Sequence, residues 1–243
     1  MSETHWALSG VTAQERHEMH IEPGLIQGAK IALSYATAAG AGAYALKLGW
    51  ESLKEKGLPS LAARSAIATA AVFTFFEVLP HYPVGVSEVH FILGSTLFLI
   101  LGAAPAAFGL ALGLLLQGLL LAPFDLPQYG ANLTTILVPL FAIAALADRI
   151  IPRGTAYVDI SYRDTLALST AYQGGVVAWV AFWSFYGQGF GATTVSSVLT
   201  FGGAYMLVVL VEPLADLAVL AGAKALRGLD RTGLTTPRLF HAA

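Results

Sequence analysis

From Val89 to Leu121 the chain reads VHFILGSTLFLILGAAPAAFGLALGLLLQGLLL, with no Asp, Glu, Lys or Arg anywhere in it. A helix crosses the hydrocarbon core of a bilayer in roughly 17 to 25 apolar residues, so the stretch is too long for one ordinary span. Gly102, Ala103, Ala104 and Pro105 interrupt it near its middle. Proline suits the first turn of a helix and disrupts an interior, so these four residues supply a turn and a restart. The pattern predicts two short helices joined there.

Similar runs lie on both sides. Leu25 to Leu48 carries only Lys30 and the terminal Lys47, and Leu61 to Leu79 has Arg64 at its start and Glu77 at its end. Ala131 to Leu146, Leu166 to Tyr186 and Val198 to Ala223 follow, the last interrupted by Glu212 and Asp216. The count is seven, and the fold class is all-α, a polytopic membrane protein. Composition agrees: of 243 residues 56% are hydrophobic and 12% charged, against roughly 25% charged in soluble domains. Mean hydropathy is +0.68.

Loop charges orient the spans, because cytoplasmic loops collect Lys and Arg. The first loop holds Lys47, Lys54, Lys56 and Arg64, and the fifth Arg149, Arg153 and Arg163; the tail holds Lys224, Arg227, Arg231 and Arg238. The second loop, Pro80 to Glu88, has no Lys or Arg, nor have the fourth and sixth. All basic residues except Arg16 and Lys30 therefore fall on one side. This predicts an outer N-terminus, an inner C-terminus and three parts: a polar tail over 1–18, a membrane domain over 19–223 and a basic cytoplasmic tail over 224–243. The first 18 residues lack the basic and apolar regions of a signal peptide.

Composition and motifs also exclude function classes. A formal charge of −2 offers no basic surface for nucleic acid. With no cysteine, thiolate metal sites and iron–sulfur clusters are ruled out, and any metal must be held by nitrogen or oxygen. No GxxxxGK[ST] loop, GxSxG elbow or GxGxxG turn is present, so the chain brings no ATPase site of its own. His17-Glu18-Met19-His20 is one residue short of the HExxH zinc motif.

Polar residues gather instead on the outer side: His20, His81, Glu88, His90, Asp125, Gln128 and Asn132. Mouths of three helices can converge on one outward pocket, and ionisable groups at membrane depth are functional suspects. Glu212 and Asp216, four apart on one helix face, read as a proton relay or, more simply, as interhelical hydrogen bonds. Ala32, Ala36 and Gly40 form a stripe of small residues that allows close helix approach, either within this chain or against a partner.

Two motifs then carry a resemblance. Met19-His20-Ile21-Glu22-Pro23-Gly24 resembles the Met-His-Ile-x-x-Gly opening of the CbiM/NikM family, the substrate-binding S components of energy-coupling-factor importers for cobalt and nickel. Gly85-Val86-Ser87-Glu88-Val89-His90, followed by Gly94, Pro105, Gln117 and Gly130-Ala131-Asn132, is similar to the family's later stretch. The resemblance covers about Met19 to Gly222.

It implies a metal site at Met19, His20 and His90: the amine of the opening Met, the backbone nitrogen and imidazole of the next His, and a later imidazole. An amine, its adjacent amide and the following imidazole close fused chelate rings in one plane, which suits Ni(II) and is compatible with Co(II); Mg(II), which wants octahedral oxygens, would be refused. Glu88, Gln128 and Asn132 are candidates to orient the imidazoles. The ion, Co(2+) or Ni(2+), is transported substrate, and no organic cofactor is implied. The implied partners are a transmembrane coupling (T) subunit, paired ATPase (A) subunits and a small accessory membrane subunit, in the bilayer of a bacterial inner membrane.

Two departures matter. Eighteen residues precede Met19, so the amine requires a start at Met19 or removal of the tail; otherwise His17 or His5 supplies the donor. Glu88 also stands where the family has small residues. Two rival readings are an S component for an organic vitamin, with Trp179, Phe182, Trp183, Phe185 and Tyr186 lining its pocket, and a membrane metalloenzyme using His90 and Glu88 as ligand and base. Imidazole ligation predicts weaker metal binding below about pH 6.

Overall fold

The computed structural model describes Ile21 and residues 24–225. Helix α1, Ile31–Glu77, has 47 residues and would measure about 70 Å if straight, more than twice the hydrocarbon thickness. It breaks at Gly57, whose φ of 78° and ψ of 164° precede Pro59. Glycine tolerates positive φ, and proline cannot donate the helical hydrogen bond. Arg64 Nη2 donates to Ser52 Oγ at 3.1 Å although the two are 12 positions apart, about 18 Å along a straight helix. The legs 31–56 and 58–77 therefore fold back on each other, giving the first two expected apolar helices.

After α1 the chain forms a small antiparallel hairpin, β1 Tyr82–Val84 and β2 Ser87–Val89, with Tyr82 opposite Val89. Helix α2, Gly94–Leu101, and α3, Ala103–Leu120, are separated only by Gly102 at φ 93°, as Gly102 to Pro105 predict. Arg64 Nη1 caps the exposed end of α2 through Leu101 O at 2.7 Å. A 3-10 turn, Pro123–Gln128, leads into α4, Tyr129–Ile150, and then come α5, Tyr162–Gln188, and α6, Ala192–Ala225. α3 lies along the second leg of α1, so close that a Cβ on Gly109 would stand 2.2 Å from Ala68 Cβ. Only glycine permits that approach, and small residues serve this purpose in helices packed in lipid.

Among the described residues four helical stretches are long and apolar enough to cross a membrane: Gly28–Glu77, Ala103–Leu120, Pro123–Ile150 and Ala192–Ala225. The molecule is a helical membrane protein. Its core runs through α4, where Leu137, Leu140 and Ile143 are fully enclosed, and is sealed by Trp183 and Tyr172 of α5 and by Phe201 and Tyr205 of α6.

The structure differs from the sequence expectations in three places. The third apolar stretch is not helical from Val89: pairing with β1 satisfies the backbone through Val89, residues 90–93 form neither helix nor strand, and the left-handed Leu93 (φ 52°) delays the helix until Gly94. The small-residue stripe does not pack within the chain; Ala32, Ala36 and Gly40 are exposed, and nothing lies within 4 Å of a Cβ built on Gly40. The last helix runs past Ala223 to Ala225, with Lys224 Nζ donating to Ile160 O at 2.8 Å. The tail assigned to 1–18, and the rest of the basic tail from 226, lie outside the described residues.

Candidate functional site

β2 places Ser87 and Glu88 at the head of the run that carries His90 and Ile92. Across from this run stand the first turns of α4, with Asn132 and Thr135, and the facing sides of α5 and α6, with Val180 and Tyr205. Ile21 closes the remaining side. Together they line a cavity of about 20 Å³. That is room for one water or one bare ion.

The polar lining is held in place by bonds from several elements. Asn132 Oδ1 accepts the backbone N–H of Ile21 at 3.1 Å, across 111 positions of sequence. Tyr205 donates its hydroxyl to Gln173 Oε1 at 2.9 Å. His90 packs edge-on to Phe76, with ring centroids 4.8 Å apart. Its Nδ1 lies 3.3 Å from Phe91 O, a contact that suits the tautomer protonated at Nδ1, with the lone pair on Nε2.

Burial sets the charge states of the two titratable groups, both of which stand on the segment between α1 and α2. Desolvation pushes the Glu88 carboxyl up to about 8, helped by the nearby charges of Asp125 and Glu77. Desolvation also pushes His90 down to about 4, opposed by the Phe91 carbonyl and aided by His81. At neutral pH the site therefore presents a neutral imidazole, the form that binds metal, beside a neutral carboxylic acid.

Of the residues singled out from sequence, His90, Glu88 and Asn132 meet in this cavity. Gln128 does not line it: its amide donates to Ile26 O at 3.1 Å and so holds the chain's opening stretch instead. Asp125 lines a neighbouring cleft with Gln117, Tyr129 and the other face of Asn132. His81 turns to Leu79 O at 3.1 Å. Met19 and His20 lie outside the described residues, as do His5 and His17. Among the described residues no three His, Asp or Glu side chains are grouped to hold a metal.

The lining also contains residues that sequence reasoning passed over: Ser87, Thr135 and Tyr205. Tyr205 had a signal, since it lies seven positions, two helical turns, before Glu212. Of the α5 aromatics, Trp179, Phe182, Trp183, Phe185 and Tyr186, none lines the cavity. Trp179, Phe182, Trp183 and Tyr186 pack on one another, Phe182 stacking on Tyr186, while Phe185 stacks on Phe190, and Trp183 Nε1 donates to Thr134 Oγ1 at 3.1 Å. Asp216 is used in an interhelical hydrogen bond, from the Ser95 hydroxyl of α2, whereas Glu212 accepts the Ile92 backbone N–H at 2.8 Å from the segment before α2.

A family model for the cobalt uptake substrate-specific transmembrane region, CbiM, matches residues 20–228. Comparison with curated proteins and with solved structures gives no match.

Proposed function

Because this chain belongs to the cobalt uptake substrate-specific transmembrane family, a family of transport proteins and not of enzymes, we propose that it captures a divalent transition ion, Co(2+) or Ni(2+), for an energy-coupling-factor importer. One observation carries the reading. Ile21, the residue after His20, lines the same cavity as His90 and is tied there through its own N–H to Asn132. Ile21, which follows the Met-His pair in the chain, thus lines the same cavity as the later imidazole.

In this reading Met19, His20 and His90 supply nitrogens to the ion, Asn132 fixes the opening stretch, and Glu88 lies beside the bound ion. An imidazole held neutral by burial needs no deprotonation to ligate, and nitrogen donors favour Ni(II) and Co(II) over the hard cations. The small cavity also favours an ion over a ring-bearing vitamin.

The proposed seven crossings are the two legs of α1, then α2, α3, α4, α5 and α6. The positive-inside pattern puts the cavity on the outer face of a bacterial inner membrane, with residues 19–223 as the membrane domain. ATP hydrolysis belongs to paired ATPase subunits, working through a transmembrane coupling subunit and a small accessory membrane subunit. The exposed stripe of Ala32, Ala36 and Gly40 is the docking face in this reading, whereas Gly102 and Pro105 in the turn between α2 and α3 are buried.

The test is Co(II) and Ni(II) titration of the membrane-purified chain, with its intact mass measured to establish whether Met19 is the first residue. Replacing His90 or His20 by Ala should weaken binding at least a hundredfold, more than loss of a group that merely orients a ligand. Wild-type affinity in both variants would remove the site.

A further inference from the structure

The stretch that carries His90 is anchored from a distant helix. β2 ends at Val89 and α2 begins at Gly94, so the N–H groups of Ile92 and Leu93 fall between two hydrogen-bonded elements. A backbone N–H left unpaired inside an apolar bundle is costly. Both are taken by one atom: Glu212 Oε1 on α6 accepts from Ile92 N at 2.8 Å and from Leu93 N. One turn further along α6, Asp216 Oδ2 accepts the hydroxyl of Ser95 in the first turn of α2. Both carboxylates are fully enclosed.

The backbone at this point does not hold itself. Leu93 has φ 52° and ψ 32°, a left-handed conformation that a branched side chain adopts only when its surroundings impose it. Ile92 lines the same cavity as His90, two residues earlier in the chain. Whatever fixes Ile92 and Leu93 therefore also fixes the backbone from which the imidazole projects.

We propose that Glu212 is a positioning residue of the ion site: its carboxylate, reaching across from α6, clamps the Ile92–Leu93 backbone and so sets the place of the His90 imidazole. The proposal rests on the reading of His90 as a ligand. What matters in it is an acceptor oxygen at the right reach, not the negative charge. A carboxylate that handled the passing ion itself would show the opposite dependence.

The experiment uses the full chain in lipid nanodiscs, Ni(II) alone as titrant, and the visible d–d absorption of the bound ion as a second readout. Glu212→Gln keeps an acceptor oxygen at the same reach and should bind within about threefold of wild type. Glu212→Asp keeps the charge but is one methylene short. It should bind roughly tenfold or more weakly, as expected when hydrogen bonds to a charged acceptor are lost, and should shift the d–d band because one nitrogen has moved. Glu212→Ala should behave like Glu212→Asp. If it does not fold, the Gln and Asp pair still decides. Wild-type affinity in Glu212→Asp with loss in Glu212→Gln would overturn the proposal, as would wild-type affinity in every Glu212 variant while His90→Ala loses binding. Wild-type affinity in His90→Ala would instead overturn the ligand assignment beneath it.

Discussion

Two enclosed polar groups differ in what their atoms are doing. At the first, Glu88, His90 and Asn132 surround a small cavity, and both titratable groups are pushed toward their neutral forms. At the second, Glu212 and Asp216 are at least as deeply buried, yet each has an oxygen committed to donors on the stretch from Ile92 to Ser95. Burial of a carboxylate therefore does not by itself identify a binding site. The pair near α2 holds backbone and side chain together, whereas the pair near β2 faces a space that one ion can fill.

The sharpest way to break this contrast is at Asn132, which ties the opening stretch to the cavity. Asn132→Ala should weaken Ni(II) or Co(II) affinity by roughly 10- to 100-fold, the usual effect of removing a group that orients a ligand, and should cost about 1 to 3 kcal/mol of stability by stranding the buried Ile21 N–H. Calorimetric titration beside a melting curve measures both, and an unchanged affinity would mean that Ile21 is not held for the sake of the ion.

A smaller effect is expected from pH. His90 has its pKa lowered to about 4, so its lone pair is available at any pH above that value, and protonation there competes with metal only below it. A second imidazole with the ordinary value of about 6.5, the role proposed for His20, would begin to compete earlier. Affinity followed from pH 7 down to pH 4 should first fall below about pH 6. A curve that stays flat until about pH 4 would leave His90 in the ligand set and take His20 out of it.

The least change in binding is expected at Ser95. Ser95→Ala strands an enclosed oxygen of Asp216, which costs about 1 to 3 kcal/mol of stability, while Glu212 still holds Ile92 and Leu93. Metal affinity should stay within about threefold of wild type. A large loss of affinity would erase the distinction between the anchoring pair and the ion site.

Much of this was legible in the residues themselves. The break at Gly102 and the apolar helices follow from local features: apolar length, absence of charge, and a turn residue at a known place. The role of Gln128 was not legible, because its partner is Ile26, 102 positions away, and nothing in either neighbourhood announces the other. The start of α2 was missed for a related reason. An apolar run such as Val89-His90-Phe91-Ile92-Leu93 suits a helix or an extended segment equally, and pairing with β1 decided against the helix.

The sequence by itself determined that the chain lives in a membrane, since transfer into lipid adds up residue by residue and needs no knowledge of neighbours. Only the tertiary structure decided which buried polar atoms face a cavity and which are tied to backbone. A hydrogen bond between Glu212 and Ile92 closes over 120 positions, and such a pairing exists only once the helices between have packed.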